Sequence, residues 1–275
     1  MTTRAGARKE LGQHWLVDRR ILGRISRAVP IEPGDTVIEV GPGRGALTRI
    51  LTQRTERLIA VEVDAALAAS LREEYAGNAN VHVVEGDVLD VPITDILAAG
   101  AGGLPYVVVG NFPYFIGSAI IRKFLDAAIP PRHVVATLQL EVAERIAASP
   151  GDMSYLAVEF QSLAECRMLF KVPPAAFRPK PKVHSAVLRL DIRDSPDVEV
   201  DDRERFLELA RAGFAAPRKR LRNSLSVGLR IPAADAEAML VRANIDPTLR
   251  PEALELDAWR DLYFAYRRAA PSISA

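Results

Sequence analysis

Five apolar runs, separated by helical stretches, constrain this chain more than any other feature. "TVIEV" (36–40), "LIAVEV" (58–63), "VHVVEG" (81–86), "YVVVG" (106–110) and "HVVATLQL" (133–140) are short and rich in Val and Ile, as strands buried on both faces must be. Between them, 45–53, 65–75 and 117–127 carry helical spacing. Strands alternating with helices call for a mostly parallel sheet covered on both sides, the doubly wound Rossmann-like α/β class. A later run, "VHSAVLRLD" (183–191), alternates Ala186, Leu188 and Leu190 with other residues and has no helix before it. It is expected to form an antiparallel edge hairpin with a strand at 164–172.

Before the sheet, Asp18 is placed to cap a helix that puts Ile21, Leu22, Ile25 and Val29 on one face, and "PIEPGD" stops it. After the sheet, β signals end at "RDSPDVEVDD" (193–202). Only helices are expected beyond, at 202–215, 217–229, 233–243 and 255–268. The chain is therefore expected to divide near 195. A sheet domain would span 1–195, opening with a helical segment over 1–30, and a small all-α domain 196–275.

Composition narrows the class. With 49% hydrophobic and 26% charged residues, and no apolar run near the roughly 20 residues of a membrane span, a soluble protein is expected. The opening "MTTRAGARKELGQHWL" lacks the apolar core of a secretory signal. Cys166 is alone, and the histidines at 14, 82, 133 and 184 are scattered. No metal site is expected, and a reducing cytoplasm fits. A net charge of +1 argues nothing about nucleic acid, but basic residues collect near the N-terminus and in "PRKRLRNSL" (217–225). Such islands suit a localised polyanion footprint, and solvated helix faces would give the same pattern.

The chemistry gathers at the strand ends. "VIEVGPGRGALT" (37–48) puts Gly41, Gly43 and Gly45 in the turn after the first sheet strand, where a backbone can approach a ligand. The spacing is G-x-G-x-G behind an acidic Glu39, not the G-x-G-x-x-G of a dinucleotide fold. A carboxylate repels a pyrophosphate and attracts an ammonium. The next strand ends in Glu62, placed to accept ribose hydroxyls. The one after ends in "EGD", leaving Asp87, with Val88 beside it, to meet the exocyclic amine of an adenine. Each feature alone is compatible with a tight turn or a surface acid. Together they describe an adenosine with a cationic amino-acid tail and no phosphate, which is S-adenosylmethionine.

The fourth strand leaves through "VGNFPY" (109–114). An adenine N6 is a poor nucleophile because its lone pair is delocalised, so a methylating site must orient it. The Asn111 carboxamide oxygen and the Phe112 carbonyl would accept its two hydrogens. Pro113 would hold that carbonyl, and Tyr114 would stack on a base taken out of its helix. Were the same nitrogen to be methylated twice, the pocket would need room for a methyl group, and enlarging Phe112 or Tyr114 is then expected to stall the reaction after one transfer.

"LGQHWL" (11–16), "VIEVGPGRGALT", "VEVD" (61–64), "EGDVLD" (85–90), "VGNFPY", "LEVAERIAA" (140–148), "FRPKPKVHSAVLRL" (177–190) and "RKRLRNSL" (218–225) occur in this order along nearly the whole chain. In this the chain resembles the ribosomal RNA adenine N6,N6-dimethyltransferases of the small-subunit (KsgA) type. The resemblance implies that His14 and Leu16 join Gly41, Glu62, Asp87 and Asn111 as cofactor contacts. It implies as substrate two adjacent adenines in the 3′-terminal hairpin loop of 16S rRNA, within an assembling ribosomal particle. Arg218, Lys219, Arg220 and Arg222 would then touch rRNA, and a monomer is expected. His14 and Trp15 stand where many members have Asn and Phe, Phe112 replaces a commoner Leu or Ile, and 215–220 lacks a glutamine and an arginine often found there. An antibiotic-resistance type acting on large-subunit rRNA, or a non-catalytic assembly factor, would share much of this pattern. The ~75 residues after position 200 are too few for the recognition domain of a sequence-specific DNA enzyme.

Overall fold

A computed structural model of the chain describes residues 14–100, 103–194, 198 and 200–269. Its elements are β1 (Trp15–Leu16), α1 (Arg19–Ala28), β2 (Thr36–Val40), α2 (Thr48–Leu51), β3 (Leu58–Glu62), α3 (Ala65–Glu74), β4 (Val81–Glu85), α4 (Ile93–Ala99), β5 (Tyr106–Asn111), α5 (Gly117–Leu125), β6 (His133–Gln139), α6 (Leu140–Ile146), α7 (Tyr155–Gln161), β7 (Ala164–Val172), β8 (Phe177–Arg178), β9 (Ser185–Ile192), α8 (Arg203–Gly213), α9 (Leu221–Leu229), α10 (Ala233–Arg242) and α11 (Leu256–Ala269).

The seven-stranded sheet runs β4-β3-β2-β5-β6-β9-β7. β2 pairs parallel with β3 and β5, β3 with β4, and β5 with β6. All five positions of β2 and of β3 are buried, which is why their sequences run apolar instead of alternating. Because the strands are parallel and in register, Val40, Glu62, Glu85 and Asn111 end at one sheet edge. The polar residues that follow each apolar run are thereby collected on one side.

α1 begins where expected. The Asp18 carboxylate accepts from the Arg20 and Ile21 amides at 2.9 and 3.1 Å, and Ile21, Leu22 and Ile25 are buried in the sheet core. The helix expected over 45–53 shrinks to α2, because Gly45 at φ +71° keeps the chain in turns up to Leu47. β9 pairs antiparallel with β6, and β7 lies outside it at the sheet edge. The expected hairpin is not a tight one: between β7 and β9 the chain leaves the sheet, and β8 pairs antiparallel with β1.

The chain separates into two compact units, one of 1–143 and 166–192, the other of 144–165 and 193–275. The second takes more than the expected 196–275. Met153, Ala157 and Val158, on and before α7, are buried in one cluster with Phe206, Leu209, Trp259 and Leu262 of the C-terminal helices. α7 therefore belongs to the helical core, although it precedes the last two sheet strands in sequence. Among the described residues no helix is long and apolar enough to cross a membrane. None of their His, Cys, Asp and Glu side chains form a group of three or more able to hold a metal ion.

Candidate active site at the sheet edge

The strand ends of the first unit enclose a cavity of about 200 Å³. Of the residues marked out by the sequence, His14, Gly41, Gly43, Glu62, Asp87, Val88, Asn111, Phe112, Pro113 and Tyr114 line it. Glu39 and Leu16 do not. They line an adjoining cleft that shares Trp15, Gly41 and Asn111 with the cavity. The period-2 alternation of a strand explains the difference for Glu39, whose side chain is 1% exposed and points into the layer beside α2.

Glu62 is the best-bonded acid of the site. One carboxylate oxygen accepts from the Gly43 amide at 2.9 Å and the other from the Asp64 amide at 3.0 Å. Burial raises its pKa, and these backbone hydrogen bonds oppose the shift. The first bond ties β3 to the glycine turn. That turn needs glycine: Gly41 and Gly43 stand at φ +67° and +57°. A Cβ on Gly41 would meet nothing within 4 Å, whereas on Gly43 it would lie 3.2 Å from the Trp15 ring. Trp15 thus lies on the turn, with the Arg44 guanidinium 3.9 Å from its centre on a ring face.

Glu39 has one carboxylate oxygen buried without a hydrogen-bond partner. Burial pushes its pKa up to about 7, Thr48 opposing the shift and the nearby Glu62 charge adding to it. Asp87 accepts from the Leu89 amide at 2.8 Å. Lys123, from α5, clamps the same turn by donating to the Leu89 and Val91 carbonyls at 2.8 and 2.6 Å. Burial lowers the Lys123 pKa, against the pull of Asp90 and Asp87.

Asn111 is held from the N-terminal side. Its Nδ2 donates to the His14 carbonyl at 2.8 Å, and since a carbonyl only accepts, this fixes which end of the amide is which. Its Oδ1 is buried and has no partner. The Phe112 amide donates to the Thr137 carbonyl at 3.2 Å, which holds the Asn111–Phe112 peptide, the one before the Phe112 carbonyl, against β6. The Phe112 side chain is 1% exposed. It is packed into the interior and lines the cavity as well, as Tyr114 does.

Tyr114 is fixed twice. Its hydroxyl shares a 2.7 Å hydrogen bond with the Ser185 hydroxyl, and the His14 ring stacks on it at 5.5 Å between centroids and 28° between planes. His14 Nδ1 donates in turn to the Pro179 carbonyl at 2.8 Å. Burial raises the Tyr114 pKa, with Ser185 opposing. Residues 11–13 of the segment before His14 lie outside the described residues.

The basic set of the second unit is placed differently from expectation. α9 starts at Leu221, and Arg218, Lys219 and Arg220 precede it in a turn closed by a 2.8 Å hydrogen bond from the Lys219 amide to the Ala216 carbonyl. Arg222 is committed to Glu237 at 2.8 Å. The sequence did not single out Trp15, Lys123, Ser185 or the exposed Phe115 for the site. Only Trp15 drew notice, standing where many members of the resembled family have Phe.

Residues 4–263 match the family described as "Ribosomal RNA adenine dimethylase". Among curated relatives, "Ribosomal RNA small subunit methyltransferase A" of Dehalococcoides mccartyi is 40% identical over 260 residues, 94% of this chain and 88% of its own. The protein of that name from Xanthomonas euvesicatoria pv. vesicatoria is 42% identical over 254 residues, covering 92% and 93%. Among solved structures, that of "23S rRNA methyltransferase ErmE" superposes with a TM-score of 0.72 at 32% identity, over 91% of this chain and 98% of that one.

Proposed function

Because the chain belongs to the ribosomal RNA adenine dimethylase family, we propose that it transfers methyl groups from S-adenosylmethionine to N6 of two adjacent adenines in the 3′-terminal hairpin loop of 16S rRNA. It acts as a cytoplasmic monomer on the small subunit or its precursor. One observation supports this reading above the others. Asn111 lines the cavity, its amide is anchored through Nδ2 and its Oδ1 is left without a partner, the acceptor an adenine amine requires.

The residues present fit S-adenosylmethionine. The unpaired Glu39 oxygen suits a cationic amino-acid tail, Gly41 leaves open space where a side chain would stand, and Glu62 and Asp87 offer carboxylates at successive strand ends. When bound, this cofactor supplies a methyl group made electrophilic by its sulfonium sulfur. Asn111 Oδ1 and the Phe112 carbonyl accept the N6 hydrogens of the target adenine, which localises the nitrogen lone pair and aims it. Tyr114 offers its ring to the extruded base, a stack worth ~1–3 kcal/mol against an extrusion cost of a few kcal/mol. The proton shed by N6 goes to water, since the protonated amine is strongly acidic. In the second round N6 carries one hydrogen, so one of the two acceptors is left unused.

Large-subunit rRNA is the alternative substrate, favoured by the 32% identity to the 23S rRNA enzyme. The small-subunit relatives match at 40% and 42% and favour the first reading. Incubation with labelled S-adenosylmethionine and either undermethylated small-subunit particles or naked large-subunit rRNA, followed by mapping of the adenines, separates the two. Two adjacent dimethyladenines in the particle are expected. Label confined to large-subunit RNA, or cofactor binding with no transfer, overturns the proposal.

A further inference from the structure

Tyr114 and Phe115 are the two central residues of one turn, closed by a 3.2 Å hydrogen bond from the Ile116 amide to the Pro113 carbonyl. The two rings are treated in opposite ways. Tyr114 is pinned by Ser185 and His14, whereas Phe115 is 66% exposed, more than any other large hydrophobic side chain among the described residues. It nonetheless lines the cavity. An aromatic ring that is largely exposed and also lines the cavity offers a flat apolar face to a ligand that extends beyond the pocket.

The charge around Tyr114 points to the class of that ligand. The loop after β8 is fastened to the Tyr114 assembly at both ends, by Pro179 to His14 and by Ser185 to Tyr114. Between these anchors Lys180 and Lys182 are exposed, with no ion-pair partner among the described residues. A free ring and two free cations around one platform are what a single strand of nucleic acid requires, a face for a base and positive charge for phosphates. We propose that Phe115 stacks on the nucleobase next to the target adenine, with Lys180 and Lys182 at the adjoining phosphates, forming a subsite for the flanking nucleotide. This rests on the reading of the protein as an RNA adenine methyltransferase. With two adjacent targets, the occupant during each transfer is the partner adenine. Phe115 would thus hold the next substrate while Tyr114 holds the present one.

The test compares wild type with Phe115→Ala, Phe115→Leu and Phe115→Trp on undermethylated small-subunit particles, alongside the Kd for S-adenosylmethionine and the Tm. Loss of one stacked base lowers kcat/KM about tenfold in the Ala and Leu variants, while Trp stays within about threefold of wild type. Cofactor Kd and Tm stay near wild type in all three. A Leu variant as active as wild type overturns the proposal, as does an unaffected Ala variant. A cofactor affinity that falls in step with activity makes Phe115 a cofactor contact and overturns it too. A wild-type protein that methylates no RNA removes the functional reading itself, and this inference with it.

Discussion

Glu62 ends β3 and Asn111 ends β5, the two strands that flank β2, yet their polar atoms are in opposite states. Both oxygens of Glu62 already accept main-chain amides. Asn111 spends its amino group on the His14 carbonyl and leaves its oxygen buried and unmatched. The first arrangement builds a surface before any ligand arrives, with Glu62, the glycine turn and Trp15 holding one another. Under the proposed function, the second keeps an acceptor in reserve for a hydrogen that the substrate brings. A buried acceptor without a partner costs on the order of 1–3 kcal/mol, and under the proposed function this cost is recovered when the adenine amine enters.

The largest effect expected from that contrast is at Asn111. Asn111→Ala removes the reserved acceptor, and the methylation rate at saturating cofactor falls roughly a hundredfold or more, as on removing a preorganised hydrogen-bonding group elsewhere. Single-turnover assay on particles measures it. Next comes Glu62→Gln, which can accept from only one of its two backbone amides and sets an NH₂ against the other. Calorimetric titration should show cofactor binding about tenfold weaker or worse, with a lower Tm, since a hydrogen bond to a charged group contributes about 1.5–3 kcal/mol.

Glu39 sharpens the comparison through pH. Its folded pKa is raised from 4.5 to about 7, so its contribution to stability is full below 4.5 and is lost as pH rises through 7. That loss is on the order of 3 kcal/mol. The same ionisation readies the carboxylate for an ammonium, so cofactor affinity should rise over the window in which the cofactor-free protein weakens. Glu39→Gln should flatten both trends, and a Gln variant with wild-type pH profiles would remove Glu39 from the cofactor's tail. The smallest effects lie in the second unit. Neutralising Arg218 or Lys219 should reduce the salt slope of particle binding by about 1 each. Arg222→Gln should change it less, because that guanidinium is already paired with Glu237.

Much of this was legible in the residues, for physical reasons. Strands buried on both faces read as unbroken apolar runs, and the polar residue ending each run fell on one sheet edge because parallel pairing leaves no other choice. The Asp18 cap is local chemistry and was equally plain. What was hidden depends on contacts distant in sequence. α7 joins the helical core through Ala157 and Val158 against Phe206 and Leu209, which no local pattern around 155–161 announces. The placement of Arg222 depends on Glu237, and that of Tyr114 on Ser185, 71 residues away. Glu39 stands next to the glycine turn, but its side chain is buried beside Thr48 and lines the adjoining cleft, not the main cavity, a placement that depends on the packing of α2 over β2.

The contrast between the two strand ends is tested most directly by measuring cofactor Kd and methylation rate at saturating cofactor for Asn111→Ala and Glu62→Gln together. The account predicts a crossed result. Asn111→Ala loses rate by a much larger factor than it loses cofactor affinity, while Glu62→Gln loses affinity and, once saturated, keeps a rate within about threefold of wild type. Both variants losing affinity and rate in the same proportion would contradict it.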